Sequence, residues 1–209
     1  GAFAHILKVI NYDMTETEVA AELEYYMKKH GSEKPSFDTI AVSGTASARP
    51  HGVPRPVKLE KGFLTMDYGA VVNGYHSDMT RTICIGKADE TQKKLYNTVL
   101  QAQLAALDAA CLGYSNAALD KIARDIIDAT EFKGCFGHSL GHGVGLLIHE
   151  SPSVSGGAGD AVLHAGEIIT VEPGIYVEGK YGCRIEDMLY ITETGKENLT
   201  NCPKELIEI

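Results

Sequence analysis

Five side chains in separate segments of the chain have the chemistry of metal ligands. They are four carboxylates and one imidazole, from Asp67, Asp78, His142, Glu172 and Glu186. These groups suit hard or borderline divalent cations. Two such cations about 3.5–4 Å apart can share bridging oxygens, hold a hydroxide and deliver it to an amide carbonyl. The five residues therefore predict a dinuclear metal centre that hydrolyses an amide bond.

Two of the carboxylates follow apolar segments. Asp67 comes after Phe63-Leu64-Thr65-Met66, and Glu172 comes after Ile168-Ile169-Thr170-Val171. A single acidic residue on a strand is usually exposed, whereas a buried carboxylate needs a paired charge or a metal. Because the same arrangement occurs twice, we interpret both carboxylates as ligands.

His142 stands among three glycines, Gly141, Gly143 and Gly145. Glycines allow the backbone to approach another group closely, although they are also typical of a flexible loop. The apolar residues Val144, Leu146, Leu147 and Ile148 favour a packed strand. We therefore prefer the ligand interpretation of His142.

Three further histidines lie in segments where they could contribute to the same site. His138 and His149 flank His142, and His51 lies in a loop ahead of the first acidic segment. Side chains of an extended segment alternate between its faces, so His138 and His149 share a cleft only if the chain bends between them. We interpret the remaining histidines as surface residues: His5, His30, His76 and His164.

The composition is that of an ordinary globular protein. Apolar residues make up 44% of the 209 residues and charged residues 22%, which fits one large domain. No apolar run is long enough to span a bilayer, and the net charge of −9 argues against nucleic acid as the main partner. The first ten residues resemble the middle of a helix rather than a signal peptide. We expect a natural N-terminal part to be missing.

The five cysteines are odd in number and form no CxxC pair. This pattern favours reduced thiols in a cytoplasmic protein over a disulfide framework. Cys135 lies near His138 in the sequence, but a small buried residue is a better interpretation than a thiol nucleophile.

Periodicity and turn residues predict alternating helices and strands. Thr15 and Glu18 form a capping box for a helix over 15–29, and Ser115 caps another. Asn73-Gly74 indicates a hairpin turn. The predicted helices are 15–29, 91–112 and 115–130; the strands are 37–42, 63–72, 77–85, 167–172 and 183–191; the loops are 44–56 and 151–160.

The two halves of the chain repeat one pattern. Leu59-x-x-Gly62 precedes the strand of Asp67, and Leu163-x-x-Gly166 precedes that of Glu172. Each half has a helix of similar length followed by a hairpin with two acidic residues. The pattern predicts one α+β unit used twice, with a ligand site where the halves meet.

Together these segments resemble the creatinase/aminopeptidase family of dinuclear metallopeptidases. Within that family the chain is most similar to Xaa-Pro dipeptidases and Xaa-Pro aminopeptidases. The resemblance implies the pita-bread fold, in which an antiparallel sheet and the metal site lie between two pseudo-symmetric α+β halves. It implies a single catalytic domain over residues 1–209 without the family's N-terminal domain. The most distinctive motif is His138-x-x-Gly141-His142-Gly143-x-Gly145-Leu146-x-x-His149-Glu150.

The resemblance also implies a role for each ligand. Asp67 would chelate one ion, His142 and Glu172 would bind the other, and Asp78 and Glu186 would bridge them. Glu172 would in addition accept the proton of the bridging water. Manganese is the favoured metal, and Co²⁺, Zn²⁺ and Fe²⁺ also suit the ligands.

Four other residues receive roles by resemblance. His51 and His149 would contact the scissile carbonyl and the peptide, His138 would shape the proline-side pocket, and Arg184 would stabilise the site. The implied substrate is a peptide with proline at the second position, and the implied full-length assembly is a homodimer. Two departures from the family pattern, Gly62-Phe63 and the run 45–48, remove no ligand.

Three alternatives remain open from the sequence. The chain could act as a methionine-type aminopeptidase, which shares the Gly-His-Gly core but lacks a histidine at the place of His138. It could be a non-catalytic peptide- or protein-binding module of the same fold, although such relatives usually lose ligands. A metal-free amidinohydrolase like creatinase is the third, and it would need no carboxylate cluster.

Overall fold

Four α-helices and twelve β-strands form the computed structural model, which describes all 209 residues. The helices are α1 Ala2–Val9, α2 Glu16–Lys29, α3 Glu90–Ala109 and α4 Asn116–Asp128. The strands are β1 Ile40–Ser43, β2 Gly62–Tyr68, β3 Val71–Val72, β4 Tyr75–His76, β5 Met79–Ile85, β6 Gly141–Gly143, β7 Glu150–Val154, β8 Ile168–Val171, β9 Gly174–Val177, β10 Tyr181–Arg184, β11 Asp187–Ile191 and β12 Lys196–Asn198. A short 3₁₀-helix spans Gly44–Ala48 within the predicted loop. None of the four helices combines the length and the hydropathy of a membrane-spanning segment.

Every pairing between these strands is antiparallel. One sheet has the order β1-β2-β5, and a second has the order β12-β11-β8-β6-β7. Two small hairpins, β3-β4 and β9-β10, extend from the strands that carry the acidic residues. Asn73 and Gly74 have φ values of 51° and 78°, as a tight hairpin turn requires. The predicted α+β class with antiparallel sheets is confirmed.

The helix starts follow the capping residues that the sequence indicates. The Thr15 side chain accepts a hydrogen bond from the Glu18 amide, and the Glu18 side chain accepts one from the Thr15 amide. Ser115 caps α4 by accepting from the Ala118 amide. These side chains satisfy amides that have no partner within the helix.

The two halves repeat each other in backbone geometry. Thr15 forms an isolated antiparallel bridge with Lys58, and Ser115 forms the same bridge with Val162. Gly62 begins β2 and Gly166 lies two residues before β8, and their φ values are +101° and +95°. Positive φ favours glycine, so the repeated Leu-x-x-Gly motif marks an equivalent turn in both halves.

Three predicted segments differ from the structure. Residues 151–160 are not all loop, because β7 pairs with β6, and the Asn116 side chain binds the Ser153 carbonyl. The predicted strand 183–191 is divided in two, because the Glu186 amide leaves the sheet to donate to the Thr80 carbonyl at 3.2 Å. The predicted strand 37–42 begins only at Ile40, where pairing with Asp67 starts.

The packed strand expected over 144–148 is also absent. Val144 is buried, but the side chains of Leu146 and Leu147 are 61% and 63% exposed. The Gly145 amide donates to the Leu147 carbonyl at 3.1 Å, and Glu150 accepts from the Leu147 amide at 3.0 Å. These bonds close a turn in place of a strand.

Each half has its own apolar core. The first half packs α1 and α2 on the three-stranded sheet, and the second packs α3 and α4 on the five-stranded sheet. The members that define these cores include Phe3, Ile6, Val19, Leu23, Leu64 and Ile83 in the first half, and Leu95, Val99, Leu119, Ile127, Ile169 and Leu189 in the second. Burial of this apolar surface is the main force that holds the sheets in place, and the acidic residues lie where the sheets meet.

Candidate metal centre and active site

A cavity of about 650 Å³ lies where the two halves meet. All nine residues that the sequence indicated line it: Asp67, Asp78, His142, Glu172, Glu186, His51, His138, His149 and Arg184. Residues separated by more than a hundred positions therefore meet in one site.

Strand ends place the carboxylates. Asp67 lies in β2 opposite Thr80 of β5, and Asp78 immediately precedes β5. Glu172 immediately follows β8, and Glu186 immediately precedes β11. Each half thus contributes two carboxylates from adjacent antiparallel strands, as the repeat predicts.

His142 is the middle residue of β6 and faces these carboxylates. Its Nε2 lies 3.3 Å from Glu172 Oε1 and 3.6 Å from Asp78 Oδ2. Ligand atoms of Asp78, His142 and Glu186 all lie within 4.8 Å of one another. The His142 Nδ1 lies 3.0 Å from the Gly143 carbonyl, so Nδ1–H donates there and Nε2 faces the carboxylates. In the neutral imidazole, Nε2 is then the nitrogen without a proton. This is the tautomer that a metal ligand requires.

Glycines allow β6 to fit between its neighbours. A Cβ at Gly141 would lie 2.0 Å from the Thr170 carbonyl oxygen, and one at Gly143 would lie 2.2 Å from the Ser151 carbonyl oxygen. Neither position has room for a side chain. The glycines therefore serve close backbone approach, as predicted, and fix His142 in a packed strand.

Three carboxylate oxygens in the site are buried without a hydrogen-bond partner. They are Asp67 Oδ1, Asp78 Oδ1 and Glu186 Oε1. An unpaired buried carboxylate oxygen is costly, and a cation removes that cost. Carboxylates with one imidazole are a donor set that suits a divalent ion. The residues therefore fit the metal that the sequence predicts.

The pKa values show the same accumulation of negative charge. Burial and then the charge of Glu186 raise the pKa of Asp78 well above its usual value. Burial and then Glu172 do the same for the pKa of Glu186. Burial also raises the pKa of Asp67, although Arg184 opposes it. Crowded carboxylates that resist ionisation are those that a cation would stabilise.

Arg184 fixes one of these carboxylates from inside the protein. Its Nη2 donates to Asp67 Oδ2 at 2.7 Å and its Nε donates to Thr80 Oγ1 at 3.0 Å. Its Nη1 donates to the Tyr176 hydroxyl at 2.7 Å and to the Pro50 carbonyl at 3.2 Å. The Arg184 side chain is only 3% exposed, so it fixes Asp67 from the buried side of the cavity.

His138 is joined to Arg184 through Tyr176. The Tyr176 hydroxyl accepts from Arg184 and lies 2.9 Å from His138 Nε2, while His138 Nδ1 lies 2.8 Å from the Ser139 carbonyl. Nδ1–H therefore donates to Ser139, and Nε2 accepts the tyrosine proton. Burial lowers the pKa of His138, which favours this neutral form.

His51 and His149 are exposed at the open side of the cavity. The His149 ring centroid lies 4.3 Å from that of His142. The turn after Gly145 supplies the bend that brings His149 into the cleft with His138, as expected. Among the histidines predicted to lie on the surface, His5 and His76 are instead half-buried, bonded to Glu22 and Ser36 respectively.

Sequence reasoning missed three residues that hold the functional groups. Tyr176 carries no sequence signal. Thr80 donates to Glu186, and Thr170 donates to Glu172 Oε1 at 3.0 Å. Thr80 lies two residues from Asp78 and Thr170 lies two residues from Glu172, so the strand period of two could have placed each threonine on the face of a candidate ligand.

The fold and the site together are similar to those of a metallopeptidase family. A model of metallopeptidase family M24 matches residues 1–193, and the chain belongs to that family. The Xaa-Pro dipeptidase of Pyrococcus furiosus is 50% identical over 193 residues, which are 92% of this chain and 55% of that protein.

Solved structures agree with this assignment. An Xaa-Pro dipeptidase from Bacillus anthracis superposes with a TM-score of 0.96 at 45% identity, covering 100% of this chain and 59% of the other. An X-Pro aminopeptidase from Thermotoga maritima superposes with a TM-score of 0.95 at 42% identity, with coverages of 100% and 59%. The pita-bread fold and the resemblance to the Xaa-Pro branch are confirmed. The chain spans little more than half the length of these relatives.

Proposed function

We propose that this chain hydrolyses the peptide bond between an N-terminal residue and a following proline, with two bound divalent cations. The convergence of the predicted ligands in one cavity, with three buried carboxylate oxygens unpartnered, carries the proposal. The Xaa-Pro peptidases among the relatives support the choice of substrate.

We assign the ligands as the sequence resemblance implies. Asp67 would hold one ion, His142 and Glu172 the other, and Asp78 and Glu186 would lie between them. When bound, the ions would lower the pKa of a water and polarise the scissile carbonyl. By family resemblance we propose manganese, and the carboxylate-rich ligand set also suits Co²⁺, Zn²⁺ and Fe²⁺.

Glu172 is the proposed proton acceptor. Its Oε1 accepts from Thr170 and lies against His142, so Oε2 is the oxygen that remains for a proton. Burial alone would raise the pKa of Glu172, but the hydrogen bond with His142 and the effects of His138 and Arg184 together outweigh burial and lower the pKa. The carboxylate is therefore ionised and able to accept a proton at neutral pH.

The two exposed histidines at the open side of the cavity, His51 and His149, are proposed to bind the substrate. His51 and His149 have exposed imidazoles beside the ligands, where they can donate to the oxygen of a tetrahedral intermediate. Neutral His138 would border the proline-side pocket. Because the bond before proline has no N–H, recognition has to use ring shape and the carbonyl. Apolar residues that can contact a ring line the same cavity, namely Phe37, Ile40, Val53 and Ile148.

Two properties of the whole protein belong to the same proposal. The odd number of cysteines, five in total, favours a reducing compartment, so we propose a cytoplasmic location. By resemblance we propose a homodimer for the full-length protein.

Peptide turnover tests the proposal. The chain, dialysed against a chelator and then supplied with Mn²⁺, should cleave Ala-Pro or Ala-Pro-Ala faster than Met-Ala. A preference for Met-Ala would favour a methionine-type aminopeptidase. Failure to cleave any of the three, together with less than about one tightly bound metal per chain, would favour a non-catalytic binding module.

A further inference from the structure

Thr80 is a fully buried residue between the two halves of the site. It lies in β5 opposite Asp67 and has 0% exposure. Its hydroxyl lies 2.6 Å from Glu186 Oε2 and 3.0 Å from Arg184 Nε. One hydroxyl thus contacts a proposed ligand of the second half and the arginine that holds a proposed ligand of the first.

The direction of both hydrogen bonds is fixed by chemistry. An arginine Nε can only donate, so the Thr80 oxygen accepts from Arg184 and its proton goes to Glu186. Arg184 in turn donates to Asp67 Oδ2 at 2.7 Å. The result is one continuous chain of hydrogen bonds that runs from Asp67 through Arg184 and Thr80 to Glu186.

This chain of hydrogen bonds decides which carboxylate oxygens remain free. It occupies Asp67 Oδ2 and Glu186 Oε2, and the opposite oxygens, Asp67 Oδ1 and Glu186 Oε1, are buried without partners. Each carboxylate therefore has one oxygen tied to protein and one available. Fixing one oxygen also fixes the rotation of the carboxylate and hence the direction of the other.

We propose that Thr80 is a positioning residue that orients Glu186, and through Arg184 also Asp67, for metal binding. The inference rests on the proposed metal centre. Outer groups that orient ligands typically change metal affinity or activity by about 10–100-fold when they are removed. Thr80 is not itself a ligand in the proposed set, so its effect on the metal has to pass through the two carboxylates.

A purely structural threonine provides the comparison. Thr65 lies on the neighbouring strand β2, is 2% exposed, and its hydroxyl pairs with that of Thr82 at 3.1 Å. It forms no hydrogen bond with a proposed ligand or with the Arg184 side chain. Thr65→Val therefore removes a buried hydroxyl from the same sheet and leaves the hydrogen bonds between Asp67 and Glu186 in place.

The test measures Mn²⁺ binding directly. Isothermal titration of the metal-free wild type, Thr80→Val, Thr80→Ser and Thr65→Val should show about 10–100-fold weaker binding only for Thr80→Val. Thr80→Ser keeps the hydroxyl and should restore binding. Thermal unfolding of each metal-free protein shows which variants fold, and Thr80→Ala replaces Thr80→Val if the valine variant does not.

The outcomes separate this inference from the proposed function. Mn²⁺ affinity of the folded Thr80→Val or Thr80→Ala variant equal to that of the wild type would overturn the inference alone. Equal weakening by Thr65→Val, or no recovery with Thr80→Ser, would overturn it as well, because a general packing effect would then explain the loss. A wild-type protein that binds no Mn²⁺ would overturn both the inference about Thr80 and the proposed metal-dependent function.

Discussion

His142 Nε2 and Glu172 Oε1 lie 3.3 Å apart and shift each other's pKa in opposite directions. Burial alone would lower the pKa of His142, but contact with Glu172 raises it. Burial alone would raise the pKa of Glu172, but contact with His142 lowers it. A residue from β6 and one from the end of β8 thus favour each other's charged form in the metal-free protein. A cation at Nε2 would take the place of that proton.

Replacing Glu172 tests its proposed double role. Glu172→Gln removes a proton acceptor and a ligand charge while keeping the side-chain shape. We expect kcat for Ala-Pro-Ala to fall by at least about 100-fold, with weaker Mn²⁺ binding and a smaller change in KM. Steady-state kinetics with saturating Mn²⁺ measure the effect. Glu178→Gln, at an exposed position near the β9-β10 turn, is the matched control and should leave kcat unchanged.

Metal addition should stabilise the fold, because the unpaired carboxylates belong to the folded state. At a free Mn²⁺ concentration of 100 Kd the gain is about 2.7 kcal/mol for one site. We expect Asp78→Asn to raise the melting temperature of the metal-free protein, since the carboxylate is buried beside Glu186, and to reduce the Mn²⁺-induced shift. Differential scanning calorimetry of the wild type and Asp78→Asn, with and without Mn²⁺, measures both melting temperatures and the Mn²⁺-induced shift. An unchanged Mn²⁺ shift in Asp78→Asn would remove Asp78 from the ligand set.

The Tyr176 hydroxyl connects Arg184 to His138 by hydrogen bonds. Tyr176→Phe leaves Arg184 Nη1 with the Pro50 carbonyl and removes the donor to His138 Nε2. We expect kcat/KM to fall about tenfold, which corresponds to about 1.4 kcal/mol. Tyr181→Phe is the control, because Tyr181 packs on the Phe63 ring away from the ligands. Equal kinetics of Tyr176→Phe and wild type would show that His138 needs no such partner.

The sequence indicated the residues that line the cavity better than the hydrogen bonds that connect them. Asp67 and Glu172 were recognisable because a carboxylate in an apolar strand demands a partner. Tyr176 was not recognisable, because its role depends on the pairing of β9 with β10, which carries Arg184, and no local pattern encodes that pairing. The divided strand around Glu186 was missed for a similar reason. No glycine or proline interrupts residues 183–191, but the Glu186 amide leaves the sheet and donates to the Thr80 carbonyl of the other half.

Glu16, which does not line the cavity, provides a pH-dependent contribution to stability. Its carboxylate has 0% exposure. It accepts from the Ser43 amide at 2.7 Å, from the Arg55 amide at 2.9 Å and from Arg55 Nε at 2.8 Å. Burial raises the pKa of Glu16, but the bonds from Arg55 and Ser43 outweigh burial and leave it below the ordinary value of 4.5.

The direction of the pH effect follows from that lowered pKa. The folded state favours the ionised form, so the stabilisation is present above about pH 4.5 and is lost as the pH falls through the folded-state pKa. Glu16→Gln should lower the free energy of unfolding at pH 7 by about 1.5–3 kcal/mol. The difference from wild type should narrow toward about pH 3. Guanidinium unfolding of the wild type and Glu16→Gln at pH 7 and at about pH 3 measures this difference in the free energy of unfolding. Asp13→Asn, which breaks an exposed pair with Lys58, is the control and should leave the free energy of unfolding close to that of the wild type. A Glu16→Gln deficit that stays constant with pH would show that packing, and not the charge of Glu16, stabilises this position.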